Sequence, residues 1–446
     1  MSDGLERLPH MPVDRLSRVL GRFLRIEALA AALLLLCAAI AIALSNSRWG
    51  TAYMAFWETP LSLGWGHAEY TRSLKHWIDD AAMTLFFFVV ALELKRELVL
   101  GELRSPRRTA FALSAALGGM LVPALIFVAI EWDQQARHGW GIVMATDTAF
   151  VIGCLAVLGR RIPAALRLFL LSVAIFDDVG AIMVIAIGYG DAIDWAALAG
   201  AALVLAAIAL MGRIGLRPVP LYIAFGMLLW WLLDQSGIHP TLAGVLLGLM
   251  TPARSWVSGR RLHAILAKVT AYPQGASWSG DTTGRRDLQR AGVAAREALS
   301  PLERLELALH PWVAFLVLPA FALANAGLPL SGTQVDWGLA VAVMLGLACG
   351  KPLGVMAFSG AAVWLGIGTR PAGLSWPLLG GGALLTGIGF TMSLLIAELA
   401  LAPAQVDSAK TGVVCASLLS AACGTAVLAW ITSGRQPGKG AERAPG

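Results

Sequence analysis

Charge is scarce in this 446-residue chain: Asp, Glu, Lys and Arg make up only 14%, against 57% hydrophobic residues. A soluble globular chain carries roughly 25% charged residues. The deficit excludes a soluble enzyme and a disordered segment, and it points to lipid. Cysteine is scarce too, and Cys37, Cys154, Cys349, Cys415 and Cys423 all fall in apolar runs. With no paired spacing outside those runs they cannot frame a disulfide scaffold, and they read as small apolar residues. The seven histidines are scattered and form no zinc-type cluster. No cleavable signal is expected, because residues 1–25 are polar and arginine-bearing and the run Ile26 to Leu44 is long enough to span. The excess of 34 Lys and Arg over 28 Asp and Glu is read as basic loops on one side of a membrane, not as a nucleic-acid surface.

What is present is a series of apolar runs bounded by charge, Gly or Pro. They predict an all-α polytopic membrane protein of about 12 transmembrane helices. The spans fall at 26–45, 77–94, 109–130, 140–159, 164–187, 195–212, 218–234, 239–251, 311–325, 337–362, 376–398 and 409–432. With residues 1–25 cytoplasmic, the segments on that side hold 27 of the 34 basic residues. The opposite loops hold five: Arg48, Arg72, Lys75, Arg137 and Lys410. That bias places both termini in the cytoplasm, with 26–432 as one twelve-helix domain and 433–446 as a tail. The first external loop, Ser45 to His76, is long and rich in aromatics. Residues 254–304 read as a long cytoplasmic loop with a flexible Gly/Ser-bearing middle, flanked by one amphipathic helix ending near Leu309.

Each ionisable residue inside a span costs at least about 2.5–3.5 kcal/mol on insertion scales and so asks for a reason. Asp177 and Asp178 are adjacent at mid-span, about 100° apart on a helix, and can face one cavity. Two carboxylates in a partly dehydrated site resist ionising together, whereas a small hard cation between them reverses that resistance. Such a pair holds either protons or a cation, and that competition is a physical basis for exchange. The plainer alternative is a solvated helix-end pair, which eleven or twelve apolar or small residues on either side disfavour. Lys351 lies at similar depth, with Asp177 or Asp178 as its counter-ion. Their bridge is either static or broken when the aspartate takes a proton or an ion.

Asp147 sits in a Thr-Asp-Thr run, and the eleventh span carries a matching weak point at Thr386–Thr391. Spans 3–5 and 10–12 correspond at an offset of seven, which is odd and inverts the second copy. This predicts inverted-topology repeats with unwound, crossed helices 4 and 11, and with Asp147 and Lys351 compensating the helix ends. Glu93 and Glu97 lie with Lys95 and Arg96 at a helix end. Glu306, His310 and His239 lie at helix ends as well.

At these residues the chain resembles the NhaA-type sodium/proton antiporters of bacterial inner membranes, from about Arg22 to Trp430. The motifs are FFFVVALELKREL (Phe86–Leu98), GWGIVMATDTAFVIG (Gly139–Gly153), IFDDVGAI (Ile175–Ile182) and SGIHPTLAGV (Ser236–Val245). LHPWVAFLVLPAFALANAG (Leu309–Gly327), GKPLGV (Gly350–Val355) and GIGFTMSLLIA (Gly387–Ala397) complete the set. The resemblance implies a twelve-helix homodimer that exchanges cytoplasmic Na⁺ or Li⁺ for external protons, with pH regulation and no cofactor beyond the transported ions, and two carboxylates discharging protons for one cation predict more than one proton per cation. It implies Asp178 as principal cation ligand, Asp177 as its partner bridged to Lys351, and Thr146 as an auxiliary ligand. Glu93, Glu97, Glu306 and His239 match positions linked to pH response, and Asp80 matches a further acidic position. The chain departs from the family in a polar insert around Ala271–Arg296 and in Phe176 beside the aspartates. It departs also in a first external loop that does not reproduce the family's hairpin pairing sequence.

Two other classes fit less well. An ion-coupled carrier of organic anions would find little to hold its substrate beyond Lys351. An intramembrane aspartic protease needs its two carboxyls on separate helices, and no Ser-His-Asp or His-Glu-x-x-His arrangement is present.

Overall fold

A computed structural model of the chain describes residues 27–65, 68–99, 101, 105–131, 135–190, 192–214, 219–254, 256–271, 282–329 and 335–433. The expected N-terminal segment, residues 272–281 of the long loop and the tail from 434 lie outside the described residues. Among the described residues seven helices are long and apolar enough to cross a membrane, or up to nine when each of two bent pairs counts as one span. The chain is a multi-pass membrane protein. Twelve spans were expected, and among the described residues the difference has visible sources. Val219–Gln235 has 17 residues and Leu242–Met250 has 9, against about 20 for a full crossing. Met83–Val99 ends in the charged run Glu93–Glu97.

The chain divides into two compact units, the first comprising Met1–Met83, Ser105–Asp191 and Pro311–Gly446. Its helices start where the sequence allows. Ser105 precedes Pro106, Ser375 precedes Trp376–Thr386, and Pro403 opens Pro403–Ser433. Proline in a first turn removes an amide that has no intrahelical partner anyway. Helix Pro106–Ile130 lies along Lys351–Trp364. The two backbones touch at Gly118 and Gly354, where a Cβ on either residue would strike the other's carbonyl oxygen. Small residues permit such approach where apolar burial alone gives no drive between helices.

Among the described residues three wide, π-type turns interrupt the helices. Ile78–Ala82 contains Asp79 and Asp80, and Gly346–Gly350 ends immediately before Lys351. The third, Val313–Val317, follows Pro311, which lies inside helix Pro301–Trp312 and does not begin the ninth span as expected. Proline lacks the amide that would bond one turn back, and a widened turn absorbs the mismatch.

The first external loop corrects two expectations. Gly50–Trp57 is a helix bent by 119° from Leu29–Ser45. Pro60–Trp65 pairs antiparallel with Ala68–Ser73, so among the described residues the fold is all-α except for this hairpin. The Ser62 and Thr71 hydroxyls meet across the strands at 2.8 Å, a cross-strand bond of a stabilising kind.

The second unit comprises Thr84–Arg104 and Ala192–His310. Ala201, Val204 and Ile208 form one helix face at i, i+3 and i+7, and they pack on Leu229, Leu233 and Ala243. Leu242–Met250 seats Gly244 and Gly248 on the backbone of Thr84 and Phe88. The 254–304 stretch holds two mutually packed helices, Gly259–Thr270 and Thr282–Ala298, besides the start of Pro301–Trp312.

Candidate functional site

The site is built where two chain breaks meet one unbroken helix. The fourth predicted span is not one α-helix. A 3₁₀ segment, Gln135–Val143, gives way to non-helical residues 145–147 before the helix Thr148–Leu158. The eleventh breaks at 388–389, between Trp376–Thr386 and Phe390–Ala400, with a bend of 44°. The breaks touch directly, for the Asp147 amide donates to the Ile388 carbonyl at 2.6 Å. Glycine is required there: a Cβ on Gly387 would lie 2.5 Å from the Leu347 carbonyl oxygen, and one on Gly389 would strike the Ser393 hydroxyl.

Asp147 is the N-cap of Thr148–Leu158, its Oδ1 accepting from the Phe150 amide at 3.2 Å. Its other oxygen, Oδ2, accepts from the Thr391 amide at 3.0 Å and the Thr391 hydroxyl at 2.7 Å. One carboxylate therefore sits on the N-termini of two helices, where unpaired amides and the helix dipole are both positive. The sequence pointed to Asp147 but missed Thr391. The available signal was a hydroxyl two residues after Gly389, where a helix restarting from a glycine break has its first free amides.

Asp177 and Asp178 lie mid-helix in Ala164–Gly188, 0% and 3% exposed. Lys351, also 0% exposed, donates to Asp177 Oδ2 at 2.8 Å and to the Thr146 hydroxyl oxygen. Of the two counter-ions the sequence left open, the ion pair is with Asp177. Thr146 Oγ1 lies 2.6 Å from Asp177 Oδ2 and 3.0 Å from the Thr386 carbonyl oxygen, and its single hydrogen serves one of them at a time. That carbonyl closes Trp376–Thr386, so the lysine and threonine gather at a helix C-terminus, the negative end. Asp177 Oδ1 is buried without a hydrogen-bond partner among the described residues. Thr148 Oγ1 approaches Asp178 Oδ2 at 3.5 Å, at the edge of hydrogen-bond distance. Carboxylate oxygens beside hydroxyls and helix-end carbonyls are donors suited to a small hard cation, and the same carboxylates can hold protons.

The residues matched to pH response lie in the second unit. Arg96 pairs with Glu306 and, at 3.0 Å, with Glu97, and it lies in the field of Glu93 as well. Three of the four residues matched to pH response thus surround one guanidinium. The fourth, His239, occupies the turn before Leu242–Met250, with its Nδ1 2.8 Å from Thr241 Oγ1. In the first unit the sequence missed a further network. Glu398 lies between Lys75 at 2.7 Å and Lys410 at 2.6 Å, and Asp79 accepts from Asn325 at 2.6 Å. Lys410, counted with an external loop by charge, is buried in Pro403–Ser433.

Residues 21–428 match the family model described as Na+/H+ antiporter 1. The chain is 54% identical over 433 residues to the Na(+)/H(+) antiporter NhaA of Rhizobium meliloti (strain 1021), covering 97% of this chain and 99% of the relative. It is 52% identical over 421 residues to Na(+)/H(+) antiporter NhaA 2 of Acidiphilium cryptum (strain JF-5), covering 94% of each. With Na(+)/H(+) antiporter NhaA 2 of Vibrio vulnificus (strain CMCP6) it shares 48% identity over 421 residues, again 94% of each. A match over nearly the whole length, with every motif of the buried site inside it, makes this chain a member of the Na+/H+ antiporter 1 family, the NhaA antiporters.

Proposed function

We propose that the chain exports Na⁺ or Li⁺ across a bacterial inner membrane in exchange for more than one proton per cation. The observation that carries this reading is the buried trio Lys351, Asp177 and Thr146 beside Asp178. Asp178 is the principal cation ligand. Asp177 is its partner and Thr146 an auxiliary ligand.

The steps follow from the charges. In the protonated state Asp178 holds a proton and Lys351, as an ammonium, neutralises Asp177. A cation entering from the cytoplasm takes both carboxylates as ligands. It displaces the Asp178 proton, and it weakens the lysine's hold on Asp177 until the ammonium sheds a proton too. Two protons leave for one Na⁺ bound. Returning the site to the other face and reversing the exchange carries one net positive charge inward per cycle.

Asp147 and Lys351 hold the ends of the broken helices, which belong to inverted repeats, spans 3–5 and 10–12, crossing near the midplane. The full count is twelve spans in one domain over 26–432, with both termini cytoplasmic and the chains paired as a homodimer. Glu93, Glu97 and Glu306 around Arg96, with His239, adjust activity to pH.

The test uses inside-out membrane vesicles from a host without its own exchangers. They are energised to an acid interior and followed with a pH dye from about pH 6.5 to 8.5. Na⁺ or Li⁺ is expected to relieve the quenching in the wild type and not in Asp178→Asn. A correctly inserted wild type that answers neither cation at any pH would sink the proposal.

A further inference from the structure

The helices Gly259–Thr270 and Thr282–Ala298 contribute nothing to the cation site, and their surface has a different character. Packed side by side, with Ala291 and Ala294 buried between them, they leave an open groove of about 410 Å³. Its lining combines apolar Trp256, Ile265 and Val293 with Arg286, Gln289 and Arg290. Trp256 is 60% and Val293 56% exposed. The whole stretch 254–304 carries nine Lys and Arg against four Asp and Glu.

The chain itself holds this groove near a bilayer. Trp256 lies six residues past Met250, the end of Leu242–Met250, a reach of at most about 20 Å. Thr282–Ala298 stops three residues before Pro301, where the apolar span Pro301–Asn325 begins. Two backbone bonds tie down the base, from the Val257 amide to the Glu297 carbonyl and from the Leu302 amide to the Pro252 carbonyl, both 3.2 Å. A groove so tethered lies within reach of lipid headgroups. Guanidinium groups bind phosphate oxygens in pairs, tryptophan favours the lipid–water boundary, and clustered Lys and Arg beside a span are drawn to anionic lipid. The exposed pair between Arg290 and Asp287, at 3.3 Å, is weak enough for a phosphate to displace.

We infer that this helix pair docks on the bilayer surface by taking an anionic phospholipid into the groove. Arg286 and Arg290 hold the phosphate, and Trp256 and Val293 meet the upper acyl chain. The arrangement lets membrane composition act on the stretch that joins Leu242–Met250 to Pro301–Trp312.

The test places the full chain in nanodiscs of phosphatidylcholine alone or with phosphatidylglycerol and follows amide hydrogen exchange. The readout needs no transport, so it stands apart from the exchange reading. Peptides from 256–270 and 283–298 are expected to exchange at least tenfold more slowly in the anionic discs, with Pro106–Ile130 unchanged. The protection should disappear in R286Q/R290Q and fade at high salt. Equal rates in the two lipids, or protection indifferent to the arginine variant, would overturn the inference. Protection that follows protein concentration and ignores lipid would overturn it too, assigning the groove to a second copy.

Discussion

Lys351 and Asp177 are each 0% exposed, so neither charge is tolerable without the other. Breaking a buried pair by removing one partner typically costs about 3–5 kcal/mol, because the remaining charge is left uncompensated, whereas removing both can be nearly neutral. Lys351→Ala is therefore expected to destabilise the protein by about 3–5 kcal/mol. Adding Asp177→Asn should recover most of that loss in denaturation midpoints measured in detergent. A double variant as unstable as the sum of the two singles would mean that the pair contributes packing and not charge. These residues were readable in the sequence for the same reason that they are costly: a charge amid apolar residues has no bland explanation. The partner of Asp147 left a fainter signal, because Thr391 is an uncharged residue 244 positions away and only the meeting of two chain breaks brings its amide and hydroxyl to the carboxylate.

Among the elements, the broken stretch from Trp376 to Ala400 is held at both ends of its second helix. Asp147 caps the start of Phe390–Ala400, and Glu398, near its end, is shared by Lys75 and Lys410. In the break itself Gly387 lies against the Leu347 carbonyl, which belongs to the wide turn before Lys351. Gly387→Ala forces backbone apart at this contact, an overpacking cost of about 1–3 kcal/mol. Because Lys351 follows that turn directly, the exchange rate should fall more than tenfold while insertion and span topology persist. Wild-type rates in this variant would show that the contact is slack. Glu398→Gln leaves Lys410, 6% exposed, without its carboxylate, a loss of about 1.5–3 kcal/mol for bonds between charged groups. Glu398→Asp should keep part of it, and a Glu398→Gln variant as stable as wild type would remove the network from the account. Of these element-scale features the sequence pattern carried the break, as the weak point at Thr386–Thr391, but not the contacts that hold it. Charge counting put Lys410 in a loop because it could not tell that Pro403 opens a helix. The hairpin was passed over because Pro60–Ser73 lacks the family's pairing sequence and pairs by its own register.

For the molecule as a whole, periodicity and charge bias led to a helical, many-span chain, and the apolar helices agree with that class. They carried no sign of the two discontinuous units, since a grouping of Thr84–Arg104 with Ala192–His310 arises from packing between segments remote in sequence. The whole-molecule property most worth testing is charge movement. A site that releases two protons for each cation bound moves net charge across the membrane in every cycle, so voltage is a driving force in its own right. In proteoliposomes with equal pH on both sides, a potassium diffusion potential alone should then drive Na⁺ across, in the direction that carries the excess protons down the field. An electroneutral exchanger would leave Na⁺ where it is under the same potential. The same competition fixes the sign of the pH effect. Acid keeps Asp178 and Lys351 protonated, so the Na⁺ needed for half-maximal exchange should rise as pH falls, by up to about tenfold per unit for each competing proton. Flux driven by voltage with a half-saturation that does not change with pH would separate the two ideas: the charge would move, but Asp178 and Lys351 would not be where protons and sodium compete.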